Sequence, residues 1–265
     1  MISLVTQVPF RTVSHKAGFH LGQTIGALTG PVARNAWSHG EYRRIYMYHI
    51  RKTAGTSVAF AFMRLSELDP HLIEERLARF SFAQGNGYRF VVGPRLIRQG
   101  NYFFAGNHSP CYLIGLPQTG TFRFTIVRDP VDRVISLFRY LAGPSADSAL
   151  ASKAPMEEIR WASDGFDRFL DRVPSFHLSN QLYMFSESGS VDEAVDRLGG
   201  LDMVLRTERL DCDLPRLESA LNLSLSLSRE RVSLFPFAPT SAQRDRLQEL
   251  LAPEIEVLRQ LRLTP

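Results

Sequence analysis

Residues 48–57 read YHIRKTAGTS, and residues 124–139 read FTIVRDPVDRVISLFR. Each joins a β-prone run to a helix-spaced segment through a short basic turn. IYMYH at 45–49 precedes TSVAFAFMRLSEL at 56–68; FRFTIV at 122–127 precedes Val131–Leu141, where Val134, Leu137, Phe138 and Leu141 recur at helical intervals. A loop that feeds a helix start presents unpaired backbone N–H groups and the positive end of the helix dipole, which suits an anion. Two such junctions predict a divided anion site.

Working outward, QGNG at 84–87 marks a turn, and Tyr88–Val92 and Tyr102–Ala105 are expected strands separated by Gly93, Pro94 and Gly100. Helices are expected at 165–172, 191–198, 214–221 and 242–261, with a late strand at 201–205. Strands alternating with helices imply an α/β fold, a mainly parallel sheet flanked by helices on both faces. A Gly/Ala/Ser/Pro-rich stretch at 142–155 reads as a loop or lid within one domain. The expected organisation is a single domain over 1–265, with an N-terminal arm at 1–44 and a helical C-terminal part at 211–265.

Composition narrows the function classes. A net charge of +4 and no Lys/Arg run of five exclude the dense basic stripe of a nucleic-acid binder and suit a small polyanion. Cys111 and Cys212 cannot form a disulfide framework in 265 residues, so a reducing cytosol is expected. The first residues lack the basic start and apolar run of a secretory signal, and no apolar stretch is long enough to span a bilayer. Gly22, Gly26 and Gly30 recur every four residues, but His20, Gln23, Thr24 and Arg34 make that segment too polar for a membrane helix.

The loop itself supplies the parts of a phosphate cradle: Gly55 for close backbone approach, hydroxyls on Thr56 and Ser57, and the flexible charge of Lys52. The nucleotide-triphosphate pattern G-x-x-x-x-G-K-[ST] is absent, because Lys52 precedes Gly55. Lys52-Thr53-Ala54-Gly55-Thr56-Ser57 resembles the 5′-phosphosulfate loop of the carbohydrate sulfotransferases, of heparan and chondroitin type. Arg128-Asp129-Pro130 with Asp132, Arg133 and Ser136 resembles their 3′-phosphate motif. The resemblance covers roughly residues 45–210 and implies a P-loop-like three-layer fold. It also implies 3′-phosphoadenosine 5′-phosphosulfate as donor, a hydroxyl acceptor on a glycan or glycolipid, and a nucleotide site of Arg51, Lys52, Thr53, Ala54, Gly55, Thr56, Ser57, Arg128 and Ser136. Many relatives carry Pro at the position of Arg51, which here either adds a second positive charge or faces solvent. Asp129-Pro130 reads as a turn and helix-start device, and no metal is expected.

Sulfuryl transfer, by analogy with phosphoryl transfer, needs electrostatic stabilisation of the leaving oxygen and a base for the acceptor proton. Lys52 suits the leaving side. His108, in FAGNHSP at 104–110, follows an expected strand and resembles the general-base His of the glycan sulfotransferases, although Asn107 separates it from Gly106. A loop His bonded to backbone is the alternative for His108; its rival His49, at a strand end, reads as structural or phosphate-neighbouring. Ser179-Asn180-Gln181-Leu182 resembles an acceptor-side loop and Arg206-Thr207-Glu208 a nucleotide-side element, each of which also reads as ordinary capping or packing. Tyr112, Arg139 and Tyr140 fit either a sugar face or half-buried packing. Two other classes remain open: a kinase-like phosphotransferase, and a non-catalytic nucleotide-binding module that keeps the loops without turnover.

Overall fold

The computed structural model describes residues 37–117, 119–143, 155–228, 230 and 235–263. The expected arm at 1–44 lies outside them up to residue 36, as do residues 144–154 of the expected lid.

A six-stranded sheet forms the centre, in the order β2-β3-β4-β1-β5-β6. Its strands are β1 (Arg44–Tyr48), β2 (Phe82–Gly85), β3 (Tyr88–Val91), β4 (Phe104–Asn107), β5 (Thr121–Val127) and β6 (Met203–Arg206). Only the β2–β3 pairing is antiparallel; the other neighbours run parallel, as the strand–helix alternation predicts. The β2–β3 hairpin turns through Asn86 and Gly87, both at positive φ (46° and 80°), the backbone of a tight hairpin turn.

Helices α1 (Gly55–Arg64), α2 (Pro70–Phe80) and α3 (Pro94–Gln99) come before β4. Then come α4 (Pro130–Ala142), α5 (Met156–Ala162), α6 (Phe166–Arg172), α7 (Ser175–Leu178), α8 (Asn180–Phe185) and α9 (Val191–Gly199). After β6 follow α10 (Leu210–Leu221), α11 (Ser241–Leu250) and α12 (Ala252–Gln260). Alternate residues of the strands feed opposite cores, as the two-residue period of a strand requires. Ile45, Met47, Phe122, Phe124 and Ile126 pack with α1, α2 and α10, whereas Tyr46, Tyr48, Ala105 and Val127 pack with α8, α9 and α12. A third cluster joins α4, α6 and α11 through Phe138, Phe169 and Leu247.

Four expectations shift. The helix expected at 56–68 stops at Arg64, because the Ser66 hydroxyl donates to the Met63 carbonyl (2.7 Å) and Glu67 turns left-handed. The strand expected at 102–105 is displaced to 104–107, where Gly106 and Asn107 pair with Met47 and Tyr48 of β1 against their own propensity. The terminal helix breaks at Leu251, since Pro253 has no N–H for the Glu249 carbonyl and its ring crowds that oxygen. Residues 70–80, 82–85 and 94–99, given no element by their pattern, form α2, β2 and α3.

The chain leaves β1 through α1 and the hairpin to build one side of the sheet, returns as β4 beside β1, and crosses to β1's other edge as β5. Tyr48 pairs with Thr125, so the loops after β1 and β5 emerge side by side where the strand order reverses, the usual ligand position in such sheets.

Gly87→Ala should cost about 1–2 kcal/mol, the penalty of a left-handed non-glycine residue, because no atom lies within 4 Å of the added carbon. A lower urea midpoint at unchanged slope checks it.

Candidate active site

The loop after β1 folds tightly on itself. Lys52 and Ala54 both take left-handed backbone (φ 69° and 65°), and the Thr53 hydroxyl donates to the Ile50 carbonyl at 3.0 Å. Two such non-glycine residues, one on each side of Thr53, cost about 1–2 kcal/mol each, so the surroundings must hold the loop in shape. Ala54 starts α1 without a side-chain cap, which leaves the first-turn N–H groups to a ligand or solvent. A β-carbon on Gly55 would lie 2.2 Å from the His49 ring, so glycine is needed here for the imidazole to cover the helix start.

The loop's hydroxyls divide. Thr53 is spent on the loop, and the buried Ser57 Oγ accepts from the Glu230 N–H at 3.0 Å. Thr56 alone of the three is half-buried rather than buried. Of the two hydroxyls the motif offered, that of Ser57 is therefore engaged within the fold and that of Thr56 is the more exposed.

Arg128 leaves the end of β5, and its guanidinium donates to the Lys52 carbonyl at 3.2 Å, which ties the two expected motifs together. Its backbone is gripped by one side chain: Gln181 Oε1 accepts from the Arg128 N–H (2.8 Å) while Gln181 Nε2 donates to the Arg128 carbonyl (3.0 Å). Glu254 of α12 holds that clamp, accepting from Gln181 Nε2 at 2.8 Å, from the Gln181 N–H at 3.0 Å and from Arg133 Nε at 3.3 Å. Arg133 and Glu254 are 0% and 1% exposed at their side chains. Burial pulls the Arg133 pKa down and Glu254 opposes it. The Arg133 guanidinium also donates to the His177 and Leu178 carbonyls. Asp129 caps α4, accepting from the Asp132 N–H at 2.9 Å, the helix-start role its position predicts. The Arg206-Thr207-Glu208 element lies here too: Thr207 donates to the Val127 carbonyl (3.1 Å), and Glu208 accepts from the Asp129 N–H (2.7 Å).

Ser136 is half-buried on α4, one turn before Tyr140 on the same face. Lys52 Nζ stands 4.3 Å above the Tyr140 ring, so this face of α4 looks toward the loop after β1. Arg139 turns away, donating to the Phe237 carbonyl.

Of the two readings its position allowed, Arg51 does not face solvent: the second positive charge it adds is matched by a two-pronged pair with Glu158 (2.6 and 3.1 Å), and the guanidinium approaches His177 Nδ1 at 3.2 Å. Its N–H donates to Asn180 Oδ1 at 3.1 Å. Burial first, then Arg51, pushes His177 down to about 4. Thus α5 and α8 buttress the loop from the side, and Asn180-Gln181 positions both loops at once.

His108 Nδ1 lies 2.6 Å from the His49 carbonyl, and the two rings stand 4.3 Å apart. A carbonyl accepts only, so Nδ1 of His108 carries the proton and Nε2 keeps the lone pair. Dense surrounding protein holds this imidazole below its ordinary value although one side of the ring is open; the bond to the His49 carbonyl opposes that shift. In the neutral ring this contact leaves His108 Nε2 as the acceptor, while His49 is the ring packed over Gly55.

The sequence missed Glu254, Glu158 and His177. Each sits in a helix with no local signature that singles it out, and each matters through partners far along the chain.

A family model described as the sulfotransferase family matches residues 34–187. Among curated proteins, none matches. The match stops before Arg206-Thr207-Glu208 and before Glu254.

Glu254→Ala should destabilise the chain by about 3–5 kcal/mol, because it leaves Arg133 buried without its partner. Chemical denaturation checks the loss, and Glu254→Gln, which keeps an acceptor for Gln181, should cost less.

Proposed function

The chain belongs to the sulfotransferase family, and we propose that its donor is 3′-phosphoadenosine 5′-phosphosulfate and its acceptor a hydroxyl, of the glycan or glycolipid class that the motifs imply. The observation carrying this reading is the contact of the two loops at the strand-order reversal, with the Arg128 guanidinium 3.2 Å from the Lys52 carbonyl. One junction would serve any phosphate; two adjoining ones suit a ligand phosphorylated at both ends.

The donor would supply a sulfuryl group activated by its bond to the 5′-phosphate. The N–H groups at Gly55–Ser57 and the Lys52 ammonium bind that end, and Arg128 with the Ser136 face of α4 binds the 3′-phosphate. Lys52 now rests on Tyr140, a cation–π contact of about 0.5–1 kcal/mol at an exposed site. A charge-assisted bond to phosphate contributes about 1.5–3 kcal/mol, so the ammonium favours the donor once it is present. In the transfer, the acceptor oxygen forms a bond to sulfur as the bond from sulfur to the 5′-phosphate oxygen breaks. The acceptor's proton passes to His108 Nε2, and Lys52 offsets the charge that develops on the departing phosphate. Cys111 and Cys212, both free thiols, fit a cytosolic setting.

Thermal-shift titration tests the donor. 3′-Phosphoadenosine 5′-phosphate at about 100 times its Kd should add about 2.7 kcal/mol without added metal. Greater stabilisation by adenosine triphosphate with magnesium would count for a phosphotransferase instead.

Arg128→Ala should abolish that shift, whereas Lys52→Ala should keep most of it and lower kcat. His108→Ala should lower kcat by about 10²–10⁴-fold with donor binding retained; an unchanged kcat would remove His108 as the base. Because the His108 pKa is lowered, its neutral form persists as pH falls. The acidic limb of kcat should therefore lie below the ordinary imidazole value of about 6.5, and vanish in His108→Ala.

A further inference from the structure

Beside His108 a cleft of about 300 Å³ opens between α1 and α2, over the ends of β3 and β4. Thr56, His49 and His108 line its mouth, so it is continuous with the proposed transfer site. Deeper in, Phe60, Met63, Leu77, Phe90 and Phe104 form its walls. Among the described residues no Lys or Arg lines it, and the carboxylate there is Glu74. An acidic sugar chain would meet a like charge and apolar carbon where it needs guanidinium or ammonium groups. An apolar body would be removed from water at a gain of about 25 cal/mol per Å². Pockets that bind small organic molecules have this make-up: mostly apolar walls with a few polar groups at one end.

We propose that the cleft between α1 and α2 takes the acceptor, and that the acceptor is a neutral alcohol or phenol with an apolar body, its hydroxyl directed to His108. The inference rests on the sulfotransferase reading above: it keeps that donor and a hydroxyl acceptor, and puts an apolar body in place of the sugar. The cleft gives no charge contact to read along a polymer; it selects by shape and apolar area, and the polar groups at its mouth orient the hydroxyl.

The test uses the full chain, 1-naphthol as the probe alcohol, and a desulfated chondroitin oligosaccharide as the rival acceptor. Ala78 lines the cleft from the exposed side of α2, so Ala78→Phe fills the space without touching the donor loops. Ala78→Ser controls for substitution without bulk. With the protein saturated in 3′-phosphoadenosine 5′-phosphate, 1-naphthol should bind in calorimetric titration, and with the sulfated donor it should be converted to its sulfate ester. Ala78→Phe should weaken binding and raise KM by about tenfold or more, Ala78→Ser should leave both unchanged, and both variants should keep the wild-type nucleotide thermal shift.

Three results would overturn the acceptor assignment while the donor reading stands: a nucleotide shift with no naphthol binding, naphthol turnover indifferent to Ala78→Phe, or preferred turnover of the chondroitin oligosaccharide. Absence of the nucleotide shift in the wild-type chain would sink the donor reading, and the inference with it.

Discussion

The Glu254 carboxylate, 1% exposed at its side chain, holds together parts of the chain that are far apart in sequence. It accepts from Arg133 on α4 and from the side chain and backbone of Gln181 on α8, and Gln181 in turn clamps both backbone groups of Arg128. Burying two charges is costly, and such a pair contributes little net stability against an apolar replacement. What it does contribute is position: with both backbone groups of Arg128 held by Gln181, the turn after β5 has little freedom to drift. A transfer site needs that rigidity, because small displacements of a binding group are expensive in rate.

The loop after β1 is held by a different device. Two left-handed residues, an internal Thr53 bond and the His49 ring over Gly55 shape it, while Arg51 anchors its flank to Glu158 and Asn180. The extra positive charge that Arg51 brings is matched by Glu158, so Lys52 keeps its role as the mobile cation. Since His108 is bonded to the His49 carbonyl, a shift of the loop would move His108 along with it. In the proposed function, donor end and proton acceptor are thereby mechanically one unit.

These arrangements place three functions around the carboxyl ends of the parallel strands. The paired loops sit between β1 and β5, the candidate base follows β4, and an apolar cleft extends toward β3. The sulfotransferase family match ends at residue 187, yet the Glu208 contact to Asp129 and the Glu254 clamp come from beyond it. The C-terminal helices therefore complete the matched region's site as well as covering its sheet.

The amino-acid order alone was enough to determine the α/β class, the strands flanking both basic loops and the cap of α4 by Asp129, and it singled out the two basic junctions that the fold brings together. All of these are written locally, in residue period, turn chemistry and spacing. Tertiary structure decided what depends on distant neighbours. Gly106 and Asn107 became strand because β1 lay alongside, and Pro253 split a helix whose apolar spacing ran on. The Thr53 and Ser57 hydroxyls turned to backbone partners, and Arg51 found a carboxylate 107 residues away. The tautomer of His108 was likewise set by a carbonyl in the loop after β1. A side chain's hydrogen-bond partners are chosen by packing in three dimensions, and no local pattern encodes which carbonyl or carboxylate will arrive there.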